Sequence, residues 1–386
     1  MARNSANLPN VDYCGVTVRL PKGLTGEALA SHYPAILLAA EMGSLVEIHV
    51  SSDSASDYMH LKITRSAADL IANGSDTLGL RKNLLRLPGS WDDALYLEIL
   101  VAMLLGPFPV EYPSLGELQS AINMRANVVR AAENTVLLFG TETASRPTDC
   151  WHYDDDEGFI LRPDASLVTA LTKATQPGTL REPYSFSCYR ATEYVILLGI
   201  AQEIQHCNAL LYAELESLWK RRQIKSAEFH EVFLRETGSM ECPYPCNYYI
   251  PGDRVWFRNP DAASADISGY EGSWVIYLGD GLFSNFWKRN RPYTLDSKFL
   301  EIYHWRNSVV GCGQDGAWID EQLCERLVDA SLQQPDAVSA ILALMGRYRE
   351  PRGVYTSEGG CVDTTREFAR WVRPGSCTIV LPPAAS

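Results

Sequence analysis

The segment Pro-Tyr-Ser-Phe-Ser-Cys-Tyr-Arg, from Pro183 to Arg190, sets the thiol of Cys188 at the mouth of a long apolar helical pattern. A cysteine at a helix start meets unsatisfied backbone N–H groups and the positive end of the helix dipole, and both favour its thiolate. Arg190, two residues on, adds positive charge. A thiolate so placed is a nucleophile for acyl transfer, and the same N–H groups can hold an oxyanion. The competing reading is a structural cysteine packed into the core, where free thiols commonly lie.

The other nine cysteines, at positions 14, 150, 207, 242, 246, 312, 324, 361 and 377, are scattered rather than set at disulfide-framework spacing, so reduced thiols are expected. Only Cys242 and Cys246 approach metal-ligand spacing. Pro243 and Pro245 stiffen that segment and no second pair accompanies it, so no metal is expected. The acidic run Asp154, Asp155, Asp156 and Glu157 reads as a solvated turn in preference to a cation site.

These residues need elements to position them. Strand-like alternation marks Gly15 to Leu20 and Leu45 to Val50, and helical spacing marks Gly26 to Met42 and Trp91 to Leu105. Ser114-Leu-Gly-Glu117 is a capping-box pattern opening a helix that ends near Gly140, and a short helix follows at 164–173. The Cys188 helix carries an apolar stripe through Ile196, Ile200, Ile204, Leu211, Leu215 and Leu218. The period then changes to two: Arg254 to Phe257, Ser273 to Leu278 and Leu282 to Trp287 read as strands, the last two joined at the hairpin signal Gly279-Asp280-Gly281. Two helices are expected at 320–332 and 336–349. The expected organisation is a mixed N-terminal extension (1–112), a core (113–310) and a C-terminal helical extension (311–386).

The chain has 386 residues, 46% hydrophobic and 21% charged, as globular proteins do. Its formal net charge of −13 argues against a nucleic-acid binder. With no signal-type apolar run at its start and no stretch of ~18 apolar residues, a soluble, cytoplasmic protein without membrane association is expected.

Thiol, helix, then strands is the order found in papain-like hydrolases and acyltransferases. Pro251 to Phe257 followed by Val275 to Phe283 resembles the paired strands of papain-like cell-wall peptidases. The chain more closely resembles the bacterial spore-coat protein transglutaminases. It carries Phe186-Ser-Cys188, then Gly252-Asp253-Arg-Val-Trp-Phe257-Arg-Asn259-Pro260, then Val275-Ile276-Tyr-Leu278-Gly279, with Met124 to Ala132 similar to a further helix of that family. The resemblance covers about 114–307. It implies an α+β, papain-like (transglutaminase-like) core in which the nucleophile helix packs on an antiparallel sheet. It also implies a transferase working without metal or organic cofactor. Cys188 would form a thioester with the side chain of a glutamine-bearing protein, release ammonia, and pass the acyl group to an amine acceptor as an amide or isopeptide bond.

The family's glutamate and histidine positions are occupied here by Ser273 and Asn285, neither of which titrates usefully near neutral pH. Glu271, two residues before Ser273 and so on the same strand face, is one substitute. His152, His206 or His304 folding into the site is another. A third possibility is an acyl-thioester donor, which needs less help with its leaving group. Such a donor is natural for an amide synthase of natural-product biosynthesis, with an acidic carrier domain docking on Trp287 to Arg291. A binding module without catalysis, and a hydrolase, stay open. Glu271 and Asn285 are expected to polarise and orient, Asp280 to assist from its turn, and Trp151, Tyr184, Tyr270 and Trp274 to line an acyl channel.

Overall fold

The computed structural model describes residues 13–22, 39, 41–72, 75–87, 93–140, 144–178, 182–311, 316–350 and 359–383. The helix expected over 26–42 lies largely outside them. Near the N-terminus, β1 (Val16–Leu20) turns Val16, Val18 and Leu20 inward and Arg19 outward, the alternation expected of a half-buried strand. It pairs antiparallel with β3 (Asp57–Ile63), which pairs in turn with β2 (Val46–Ser52). The helix α1 (Ala94–Leu104), capped by the Asp93 carboxylate, is buried along its length from Leu97 to Leu104. Beyond it, β4 (Val110–Tyr112) completes the sheet by pairing parallel with β1.

Ser114 caps α2 (Leu115–Asn134), its hydroxyl accepting from the Glu117 N–H at 3.1 Å. The capping box is only half formed. Instead of reaching back to the cap, the Glu117 carboxylate accepts from the N–H groups of Val372 and Arg373 and from the Ser376 hydroxyl, because the returning C-terminal chain buries it. A short helix, α3 (Leu167–Thr175), precedes the Cys188 helix α4 (Cys188–Cys207). α4 packs closely on α2: a methyl group at Gly199 would collide with Val128. The apolar stripe does not continue on one helix. Asn208 breaks it, its Oδ1 accepting from the Leu211 N–H to start α5 (Ala209–Trp219) and its Nδ2 donating to the Val372 carbonyl.

Then come β5 (Leu234–Thr237), β6 (Arg254–Arg258), β7 (Gly272–Gly279), β8 (Leu282–Phe283) and β9 (Tyr293–Thr294). The last four form an antiparallel sheet in chain order. At the β7–β8 turn Gly279, Asp280 and Gly281 all have positive φ (93°, 50° and 75°), the left-handed backbone that glycine adopts freely. The strand expected to run to Trp287 stops at Phe283, where the Ser284 hydroxyl accepts from the Ile276 N–H and the chain leaves the sheet.

Three helices follow this sheet: α6 (Leu295–Trp305), α7 (Glu321–Leu332) and α8 (Pro335–Met345). The chain then returns to the middle of the molecule. β10 (Arg366–Ala369) pairs antiparallel with β5, Glu367 makes a bidentate pair with the buried Arg254, and Val372 and Ile379 join the core around α4. The C-terminal region is therefore part of the same packed body as the Cys188 helix α4. No helix among the described residues is long and apolar enough to cross a membrane.

Candidate active site

Cys188 is the first residue of α4, and Ser187 caps the helix, its hydroxyl accepting from the Arg190 N–H at 3.3 Å. The thiol opens on a cavity of about 540 Å³. One wall is the start of β7 with Gly272 and Ser273; others are Leu137 to Phe139, the segment between β8 and β9, α6, and the inner face of α7. The backbone N–H groups of Trp274 and Tyr189 act on the Cys188 sulfur and favour its thiolate. Burial pushes the thiol above its usual value, against the pull of those two donors and of the Lys298 charge, while the Glu271 charge adds to the rise. Arg190 takes no part. Its guanidinium turns away to Glu193 at 2.6 Å, Gln223 at 2.8 Å and the Ile224 carbonyl at 3.1 Å.

The residues singled out from sequence are distributed unevenly about this cavity. Asn285 and Tyr270 line it. The Asn285 amide is held at both ends, donating to the Arg291 carbonyl at 2.9 Å and accepting from the Trp287 N–H at 3.3 Å, and so clamps the loop after β8. Tyr270 donates to the Glu321 carboxylate at 3.1 Å and tethers the base of β7 to α7. Glu271 precedes β7, is exposed, and turns its carboxylate back to the Gly269 N–H at 3.3 Å; only its field reaches Cys188. Trp274 contributes a main-chain N–H, while its indole lies against Trp256, Tyr189 and Arg254 outside the cavity lining.

Three residues lie elsewhere. Asp280 is in the β7–β8 turn, where its N–H donates to the buried Glu98 at 2.8 Å, and it does not line the cavity. Trp151 is 1% exposed, donates its indole N–H to the Ala170 carbonyl, and packs with Tyr194 and Trp219 in the core. Tyr184 packs at the edge of that core and is not part of the cavity lining.

No histidine lines the cavity among the described residues. His152 is exposed on a strand, His206 is exposed near the end of α4 with its ring against the Gln202 carbonyl, and His304 is bonded to Ser331 and Asn307. The basic segment is already engaged: Lys288 pairs with Glu325 and Arg289 donates to the Gly178 carbonyl at 3.0 Å. The acidic run forms a turn in which Asp154 accepts from the N–H groups of Asp156 and Glu157. No group of three His, Cys, Asp or Glu suited to a metal occurs among the described residues.

Sequence reasoning passed over Lys298, Glu301 and Tyr293. Lys298 lines the cavity with its side chain only 3% exposed, donating to Glu301 Oε2 at 2.5 Å and lying 3.7 Å from the centre of the Tyr293 ring. The Tyr293 hydroxyl donates to the other oxygen of Glu301 at 3.1 Å. The available signal was a Lys–Glu pair at i,i+3, unremarkable on any helix.

The site is thus a thiol at a helix start that opens on a cavity walled in part by an antiparallel strand. Residues 89–361, more than half of the chain, match the family described as protein-glutamine gamma-glutamyltransferase, and the chain belongs to that family. It is similar to the protein-glutamine gamma-glutamyltransferase of Halalkalibacterium halodurans, with 26% identity over 178 residues that make up 45% of this chain and 56% of the relative. The match thus spans little more than half of that relative's length. Among solved structures it is similar to the transglutaminase from Geobacillus stearothermophilus (without C-terminal extension), at 18% identity and a TM-score of 0.37, over 56% of this chain and 98% of that one.

Proposed function

We propose that this chain is a cysteine-dependent acyltransferase that moves the side-chain acyl group of a protein-bound glutamine to an amine through a Cys188 thioester, on a papain-like arrangement of nucleophile helix and antiparallel sheet. The supporting observation is the place of Cys188 at the start of α4 and in the cavity lining, where the N–H groups of Trp274 and Tyr189 favour its thiolate. In this reading the sulfur bonds to the carboxamide carbon and ammonia leaves. The amine then bonds to the same carbon as the C–S bond breaks. Main-chain donors that hold a thiolate also suit the oxyanion of each tetrahedral intermediate. Residues 113–310 carry this chemistry, 1–112 buttress the β7–β8 turn through Glu98, and 311–386 close the cavity through α7. Tyr270 and Asn285 shape the cavity, and Glu271 acts through its charge.

A donor already activated as a thioester is the second reading, favoured by a cavity lining without histidine among the described residues. Intact-protein mass spectrometry after incubation with a glutaminyl peptide, without amine, tests the first. The expected result is an adduct equal to the peptide mass less ammonia, present on the native chain and lost in Cys188→Ala. An adduct formed only from a thioester donor selects the second reading, and no adduct from either donor rejects both.

A further inference from the structure

The geometry points to Lys298 as the proton carrier of the acyl-transfer reaction, held at the cavity wall by Glu301 and Tyr293, in a site whose described lining holds no imidazole. The inference rests on the acyl-transfer reading above and names the group that reading leaves open.

Three observations carry it. Lys298 and Cys188 line the same cavity, one from the first turn of α6 and one from the first turn of α4. Lys298 is almost fully buried, which is rare for lysine, and its charge reaches the Cys188 sulfur and favours the thiolate. Its amine is also oriented. Glu301 accepts from Nζ at 2.5 Å and from the Tyr293 hydroxyl at 3.1 Å, so the carboxylate is fixed by two donors from two elements while the ammonium keeps further hydrogens to donate.

Other charged and titratable groups face the cavity around this cluster. From α7 come Glu321, Cys324, Glu325 and Asp329; from the segment before β9 come Lys288 and Arg291. Glu321 accepts from Tyr270 and Glu325 pairs with Lys288. Cys324, whose sulfhydryl donates to the Glu301 carbonyl, is pushed by burial up to about 12 and stays a thiol. Asn285 is held by its loop, and Glu271 faces the Gly269 N–H. Lys298 is thus the buried lining group that combines an exchangeable proton with a field on the sulfur.

The proton balance closes. The minor thiolate form of Cys188, its proton released to solvent beforehand, bonds to the glutamine carboxamide carbon; as the C–N bond breaks, the departing nitrogen takes one proton from the Lys298 ammonium and leaves as ammonia, and Lys298 becomes a neutral amine. A primary amine then bonds to the thioester carbon, the C–S bond breaks to restore the thiolate, and the proton shed by the attacking nitrogen returns to Lys298. Glu301 stays a carboxylate throughout and is a positioning residue.

The test compares two acyl donors on the full chain: a glutaminyl peptide, whose nitrogen must be protonated to leave, and a p-nitrophenyl ester, whose phenolate leaves without a proton. Single-turnover acylation of Cys188 is measured with each in the native protein, Lys298→Met and Lys298→Arg. The ratio of peptide rate to ester rate is expected to fall about 100-fold in both variants, the size typical of losing a general acid. Arginine keeps the positive charge but does not surrender a proton, so it separates charge from proton transfer. A ratio unchanged in soluble, folded Lys298→Arg overturns the inference. Because each variant is its own control, a fold defect that slows both donors equally leaves the ratio fixed and also counts against it. If the native chain is acylated by the ester and never by the peptide, the glutamine-transfer reading has failed, which is a different result from a failure of Lys298.

Discussion

The main-chain N–H of Trp274 acts on the sulfur of Cys188 and favours its thiolate, so the second strand of the antiparallel sheet influences the thiol at the first turn of α4. That influence comes from the backbone, while the indole of Trp274 lies in the group formed with Trp256 at 5.8 Å, Tyr189 at 5.1 Å and Arg254 at 4.7 Å.

Trp274→Ala therefore separates stability from reactivity. Removing the indole from its stack is expected to cost about 3 kcal/mol, measured by urea denaturation. The N–H stays in place, so the pH midpoint of Cys188 alkylation in the folded protein is expected to be unchanged; a shifted midpoint contradicts the main-chain role.

Burial outweighs the favourable donors at Cys188 and raises its thiol above the usual value. A raised thiol pKa means less thiolate at neutral pH, so iodoacetamide labelling should climb with pH and reach half its maximum above the ordinary cysteine value, roughly 8.5. Lys298→Met removes a charge that favours the thiolate and should move this midpoint higher still. A midpoint below that of a free cysteine runs against the desolvation argument.

Asn285 spends both ends of its amide on its own loop. Asn285→Ala is expected to cost about 1 kcal/mol of stability and to open the Lys288 to Arg291 segment to trypsin. Because the amide does not carry the proton, the pH profile of Cys188 labelling should stay where it was. A profile displaced by a full unit would place Asn285 in the chemistry.

Arg125, on α2, donates to Asp253 Oδ1 at 2.8 Å, and the other carboxylate oxygen accepts from the Ile250 N–H just before β6. Both side chains are buried. Arg125→Leu leaves an uncompensated buried carboxylate and is expected to cost about 3–5 kcal/mol by chemical denaturation, with part regained in Arg125→Leu/Asp253→Leu. A loss below about 1 kcal/mol would mean the pair does not hold α2 to the sheet.

Much of the framework was legible in the residues because it rests on local periodicity. The alternation of Val16, Val18 and Leu20, the Ser114 cap, the paired pattern of Arg254 to Phe257 and Ser273 to Leu278, and the three-residue turn at Gly279 each state a backbone geometry within a few positions. The features that were misread depend on distant partners. Glu117 abandons its cap for Val372 and Arg373, and Asn208 breaks the apolar stripe where it also binds the Val372 carbonyl, so both answer to a chain segment more than 160 residues away.

The site divides along the same line. Sequence by itself determined that Cys188 would begin a helix, since an extended approach and a Ser187 cap are local, and that an antiparallel sheet would follow it. Only tertiary structure decided what surrounds the sulfur. It turned Arg190 to Glu193 and Trp151 into the core, kept the described histidines away, and carried Lys298 and Glu301 to the cavity wall. The physical reason is that backbone conformation is set largely by neighbours in the chain, whereas burial and the field at a reactive atom are set by whichever side chains the packing brings near it.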